Sequence, residues 1–316
     1  MNAIVQDYQQ ARAAPKLDPS TDSNDDDASP AWLDREQYPF QPRQFQLESG
    51  RMHYVDEGEG DVLLFVHGNP SWSFEYRSLI QRLRPRYRCI APDHIGFGLS
   101  DKPEDPSYLP QFHAANLEAL IDALGLRNIT LVMQDWGGPI GMAYAVRHPG
   151  NVKRIVVSNS WFWSARESRT LRVFSALVGG PLGRFLCRRF NFFPRVLMAA
   201  SVGDKRRFPR RVHDQYIGPF QNPKSRKGTW VFPRAIIGES QWLDTLWGQR
   251  DALARLPALL LWGLKDDAFD DRFLRRWQMA FPSNTTQRYP GTGHNVFEEL
   301  GEDAVEPMAT FLEAHA

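Results

Sequence analysis

The residue best placed to do chemistry in this chain is Asp135. It ends the aliphatic run "LVMQD" and is followed by Trp136, Gly137 and Gly138. A strand that turns sharply into a helix lifts the residue at the turn off the sheet and demands small neighbours, and a nucleophile commonly sits there. No G-x-S-x-G occurs in the sequence, so the nucleophile at such an elbow is this carboxylate. A carboxylate suits amide or ester cleavage poorly, because it leaves the tetrahedral intermediate too readily. It suits displacement of a leaving group from sp³ carbon, which leaves an alkyl ester on the enzyme. The residue type at the turn therefore selects the reaction class.

The ester must then be released, which needs a base for water. His294 lies on the glycine-rich stretch "PGTGHNVFEE", and Asp266 ends "WGLKD" after an apolar run. An acid there can orient the imidazole, and the histidine can activate water against the ester carbonyl. The chain order nucleophile, acid, histidine is that of α/β-hydrolases. Asp267, next to Asp266, is the competing candidate for the acid. In "HGNP", Asn69 follows another apolar run, so the backbone N–H groups of Asn69 and Trp136 are expected to form an oxyanion hole. Their side chains bring an amide NH₂ and an indole N–H, which donate without being acidic near neutral pH. Such donors suit a departing halide and not an alkoxide, so Asn69 and Trp136 are the expected halide-binding pair. A structural reading remains for each: Asp135 as a buried aspartate of an inactive fold, Trp136 as packing, Asn69 as a turn cap.

These residues need a scaffold that brings them together. "VLLFVHG", "YRCIAPD", "ITLVMQD", "RIVVSNS" and "PALLLWG" are apolar runs that each close in Gly, Asp, Asn or Ser, as buried parallel strands do. Helical stretches fall between them, near Trp72–Leu83, Leu109–Leu124 and Gly138–His148. The alternation predicts an α/β fold: a mostly parallel central sheet flanked by helices, with function at the carboxyl ends of the strands. The rhythm breaks over residues 161–236, which hold 16 Lys+Arg against 3 Asp+Glu, or +13, and no comparable strand. An insertion at that point is expected to form a helical cap. The domain reading is thus a largely disordered acidic tail over 1–40, a core of 41–160 and 237–316, and a cap of 161–236. The aromatics of "AWLDREQYPFQP" are expected to strap the tail to the domain.

Composition narrows the field further. The net charge of +1 argues for no nucleic-acid partner, and it leaves −12 for the rest of the chain once the +13 segment is set apart. That split offers a self-complementary surface, so a homo-oligomer is a possible state. Two cysteines, Cys89 and Cys187, build neither a disulfide framework nor a metal site, and no cofactor is expected. The sequence carries no secretory signal pattern and no apolar stretch near the ~18 residues of a membrane span, so a cytoplasmic location is expected.

At "HGNP", "APDHIGFGLSDKP", "QDWGGPIG" and "GTGH" the chain resembles the haloalkane dehalogenases, with "YIGPF" and "FPRAI" extending the likeness over about residues 40 to 312. The resemblance implies Asp135 as nucleophile, His294 as base and Asn69 with Trp136 as halide donors. It places the acid either at the end of the sixth strand or after the seventh. The first place holds Asn159, which cannot carry charge, so the resemblance points to Asp266 and to the third subfamily, whose members tend to form large assemblies. The implied reaction converts a haloalkane and water to an alcohol, a halide and a proton.

Two other functions compete. An epoxide hydrolase also uses an elbow aspartate but needs two cap tyrosines, and Tyr216 is the single tyrosine of residues 161–236. A catalytically silent binding protein on the same fold is the alternative from outside the enzymes, and a complete set of triad residues argues against it.

Overall fold

The computed structural model describes residues 29–316; the acidic stretch before them lies outside the described residues. Eight strands form one sheet: β1 (Arg43–Leu47), β2 (Gly50–Glu57), β3 (Asp61–Val66), β4 (Tyr87–Pro92), β5 (Ile129–Asp135), β6 (Val152–Ser160), β7 (Ala258–Gly263) and β8 (Asn284–Tyr289). Their order is β1-β2-β4-β3-β5-β6-β7-β8. β1 and β2 pair antiparallel, as do β2 and β4, and the remaining ladders are parallel.

Helices α1 (Arg77–Leu83), α2 (Pro110–Ala123) and α3 (Gly137–Arg147) connect the first parallel strands. Between β6 and β7 lie α4 (Arg169–Val178), α5 (Pro181–Phe190), a π-turn over Phe193–Leu197, α6 (Arg210–Ile217), α7 (Gly228–Gly238) and α8 (Ser240–Gly248). α9 (Asp271–Ala280) joins β7 to β8, and α10 (Val296–Leu300) and α11 (Val305–Ala314) close the chain. No helix of the described residues is long and apolar enough to cross a membrane.

The strands are apolar throughout because both faces of the sheet are covered. Leu64, Val66, Leu131 and Met133 pack on one side with Leu117, Ile140 and Trp277 of α2, α3 and α9. Their neighbours Leu63, Phe65 and Val132 pack on the other with Leu79, Met308 and Phe311 of α1 and α11. Adjacent residues of a strand thus enter opposite cores, as its two-residue period requires. The second core also takes Tyr38 and Phe40, both buried, so the aromatic segment before β1 is packed into the domain.

This topology positions the functional residues. From β3 the chain runs to β4 on one side, then returns through α2 to β5 on the other. Val66 of β3 lies beside Met133 of β5, so the segments that follow both strands emerge together. That is the switch point at which open α/β sheets bind ligands.

Candidate active site

Asp135 has φ 49°, the left-handed region that non-glycine residues rarely occupy, and it stands at the junction of β5 and α3. The tightness of the turn is set by its neighbours. A Cβ on Gly137 would meet the Val66 carbonyl oxygen at 1.9 Å, and one on Gly68 would meet Asp135 Oδ1 at 2.3 Å. Glycine at these two positions is therefore a condition for bringing the loop after β3 against the elbow. The Asn69 backbone N–H donates to Asp135 Oδ1 at 2.8 Å, and Ser160 Oγ donates to the Asp135 carbonyl at 2.5 Å.

The other carboxylate oxygen faces the histidine. Asp135 Oδ2 is 3.6 Å from His294 Nε2, and His294 Nδ1 is 2.7 Å from Asp266 Oδ2. Asp266 is buried whereas Asp267 is exposed, and only Asp266 reaches the imidazole. Four donors converge on Asp266: His294 Nδ1, Asn159 Nδ2 at 2.9 Å, and the backbone N–H groups of Ala268 and Phe269. Burial pushes the Asp266 carboxyl up, but the imidazolium and these donors outweigh it and hold the group below its ordinary value. Burial likewise disfavours a charged His294, yet Asp266 and Asp135 together raise its pKa well above the usual histidine value.

Asn159 does more than fill the place of an absent acid. Its Nδ2 also donates to the Gly263 carbonyl, and its Oδ1 accepts the Gly263 N–H at 2.8 Å. It thereby locks the end of β7, from which Asp266 departs, to the end of β6. Gln134 is a second residue whose part the sequence did not disclose. Its Nε2 donates to the His294 carbonyl at 2.8 Å, which ties the histidine loop to the elbow. The "QD" dipeptide was the available signal, since a polar residue inside an apolar strand needs a buried partner.

Asn69, Asp135, Trp136 and His294 line one cavity of about 290 Å³ beneath the helices between β6 and β7. The rest of its wall is mainly apolar, with Leu171, Phe174, Phe193, Leu197, Ile236 and Phe269. Trp136 is wedged between Trp161 and Phe232, with ring centroids at 4.7 and 5.1 Å. Among the described residues, neither the Trp136 indole N–H nor the Asn69 amide NH₂ has an acceptor, so two donors border Asp135 without protein partners. Tyr216 lies elsewhere: it is buried outside the cavity wall and donates to Glu298 Oε2 at 2.5 Å. The one tyrosine of residues 161–236, which an epoxide hydrolase would have used, is thus committed to another partner.

Known proteins place this architecture. Residues 61–299 match the family model for the alpha/beta hydrolase fold. Haloalkane dehalogenase 2 of Mycobacterium tuberculosis is 38% identical over 268 residues, which cover 84% of this chain and 93% of that protein. The cis-3-alkyl-4-alkyloxetan-2-one decarboxylase of Shewanella oneidensis is 35% identical over 284 residues, 87% of this chain and 89% of that one. The crystal structure of the haloalkane dehalogenase DatA of Agrobacterium tumefaciens superposes with TM-score 0.77 at 28% identity, over 87% of this chain and 97% of its own. The chain belongs to the alpha/beta hydrolase fold family and, within it, to the haloalkane dehalogenases.

Proposed function

We propose that this enzyme hydrolyses carbon–halogen bonds of small haloalkanes through an ester on Asp135. One observation carries the reading: Asp135 lines the apolar cavity, and its Oδ2 lies 3.6 Å from a histidine whose other nitrogen is held by Asp266. Asp135 displaces the halide, which Asn69 and Trp136 receive. The carboxylate charge then disappears into the ester, and with it one of the two acids that raise the pKa of His294. Losing that charge favours the neutral imidazole, which takes a proton from water as the water attacks. Water attacks the ester carbonyl, whose oxygen Oδ1 already accepts from the Asn69 N–H, and the Trp136 N–H completes this oxyanion hole. Asp135 and His294 are restored, and alcohol, halide and a proton depart. Residues 161–236 serve as the cap over the core, and the cytoplasm is the proposed location.

His294→Phe tests the route. Incubated with 1-bromohexane, the variant should release one bromide per site and gain the mass of one hexyl group on Asp135. An unmodified Asp135 in the folded variant would refute the ester.

A second reading is favoured by the oxetanone decarboxylase, which matches a larger share of this chain than the dehalogenase does. A carboxylate that opens a strained lactone at its alkyl carbon displaces a carboxylate in place of halide, and the same two donors suit either anion. The opened ring can then lose CO₂ and expel Asp135 to leave an alkene, a sequence that consumes no water. His294→Phe separates the two readings, because it stalls the hydrolysis of an alkyl ester but not decarboxylation.

Self-association has less charge at its disposal than the sequence suggests. Arg207, Arg211 and Lys224 already pair with Asp303, Asp34 and Glu104 of the same chain. The unpaired part of the basic segment is concentrated in residues 166–195.

A further inference from the structure

Six of the eight large hydrophobic side chains exposed among the described residues fall between positions 173 and 196: Val173, Leu177, Leu182, Phe185, Phe190 and Val196. Leu177, Leu182 and Phe185 are each more than half exposed. They occupy the outward faces of α4, α5 and the π-turn, while Leu171, Ser175, Val178, Gly183 and Cys187 face inward. α4 and α5 pack against each other through the Gly179–Gly180 turn, so five of the six belong to one helical hairpin, and Val196 lies in the π-turn that follows it. Exposed apolar side chains gathered in this way on a folded chain mark a surface that meets something.

The same stretch of chain is strongly basic. Arg166, Arg169, Arg172, Arg184, Arg188, Arg189 and Arg195 are all exposed within it, and Glu167 is the single acid of residues 161–201. None of the seven arginines has a carboxylate partner among the described residues, in contrast to Arg207 and Arg211 further along. The active-site cavity opens beside this face. Thr170 and Ala200 line the cavity and are exposed, and Thr170 shares the outer face of α4 with Val173 and Leu177.

A second copy of the chain fits this surface badly. Two such patches placed face to face would set arginines against arginines. A head-to-tail contact would need an acidic patch with matching apolar area. Outside the hairpin and the π-turn, only Leu264 and Met279 are exposed large hydrophobics among the described residues. An anionic lipid surface satisfies both halves: its phosphates meet the arginines and its hydrocarbon takes the leucines and phenylalanines. We infer that the α4–α5 hairpin docks the enzyme on anionic membranes, with the cavity mouth turned to the lipid from which apolar substrates enter.

Co-sedimentation of the full chain with vesicles tests this and reads binding, whatever the turnover chemistry is. Vesicles of mixed phosphatidylglycerol and phosphatidylcholine should bind the protein, and pure phosphatidylcholine should bind it far less. Replacing Arg184, Arg188 and Arg189 by Gln should weaken binding about fivefold per charge removed. Leu182→Ser with Phe185→Ser should abolish it. Both variants should keep parental turnover of a short, water-soluble bromoalkane, because none of these side chains lines the cavity. Equal binding to neutral vesicles would overturn the inference. So would no binding by a protein whose assembly dissolves in the Leu182→Ser/Phe185→Ser variant, since the partner would then be another copy. Binding that appears only after residues 1–28 are removed would assign the face to the chain's own acidic start.

Discussion

Two buried acidic networks share the carboxyl end of the sheet, and they are finished differently. Glu298 accepts from both terminal nitrogens of Arg77, at 2.6 and 2.7 Å, and from the Tyr216 hydroxyl at 2.5 Å. Both of its oxygens are engaged, and the network is closed. Asp266 is just as well provided, with four donors. Asp135 is not. Its Oδ1 takes one backbone N–H, and its Oδ2 looks across 3.6 Å to His294, beyond a good hydrogen bond. Beside it, two side-chain donors wait without acceptors. A buried carboxylate satisfied on every side is structure, whereas one held in place but left open on the cavity side is a reagent.

The comparison breaks most visibly at Asp266. Asp266→Ala removes the group that holds His294 Nδ1 and raises its pKa, and it should lower kcat for halide release by about 10⁴-fold, as loss of a triad acid does. Asp267→Ala should leave kcat unchanged, since that side chain is exposed and makes no contact with His294. If the two variants behave alike, the geometry has been misassigned.

The closed network should fail in stability, not chemistry. Glu298→Ala strands the Arg77 guanidinium, which is largely buried, and should cost about 3–5 kcal/mol. Urea unfolding should show the midpoint falling, while kcat per folded molecule stays within a few-fold of the parent. A stable but inactive variant would move Glu298 into the functional set.

The two open donors form the next test. Trp136→Phe keeps the ring between Trp161 and Phe232 but loses the indole N–H. Turnover should fall about 10²-fold, the usual consequence of removing one such donor. Bromide should quench the parent's tryptophan fluorescence and act as a product inhibitor, and both effects should weaken in the variant.

Glu75 gives the smallest and most selective effect. It is buried beside both networks, its carboxyl accepts from Ser71 Oγ at 2.5 Å, and burial raises its pKa from the ordinary 4.5 to about 8. The folded state therefore holds a proton that the unfolded chain releases at lower pH, so this group destabilises the fold as pH rises from about 4.5 to about 8. Glu75→Gln abolishes that cost. Its stability relative to the parent should be level below pH 4.5 and then climb, by on the order of 2 kcal/mol at pH 7 after discounting the full 1.36 kcal/mol per unit for relaxation. Thermal melts at pH 4, 6 and 8 read it directly. A difference independent of pH would mean that Glu75 is ionised in the fold.

Most of the parallel sheet was legible in the sequence because its strands are buried on both faces and read as unbroken apolar runs. β8, "NTTQRY", was not, since as an edge strand it is half exposed and polar. β1 escaped notice for the same reason. At the site, Asp135, His294, Asn69 and Trp136 were legible from residue type and turn chemistry. Asn159 and Gln134 were not, because a positioning amide has no spacing signature. Its partners lie more than a hundred residues away in sequence, at Gly263 and Asp266 for the first and His294 for the second.

What the sequence by itself determined is the kind of chemistry. A carboxylate at a strand-to-helix turn, with glycines behind it and a histidine and acids later in the chain, restricts the reaction to displacement at saturated carbon followed by release of an ester. Those limits come from local covalent and steric facts, which need no knowledge of distant contacts. The tertiary structure alone decided which of two adjacent aspartates faces the imidazole, because consecutive side chains leaving a strand end point in different directions and packing buries only one. It also removed Tyr216 from the cavity by giving its hydroxyl to Glu298, and it gathered the unpaired arginines and exposed hydrophobics onto one hairpin beside the cavity mouth. Each of these is a matter of distance and direction between residues remote in the chain, which only the packed sheet and its helices set.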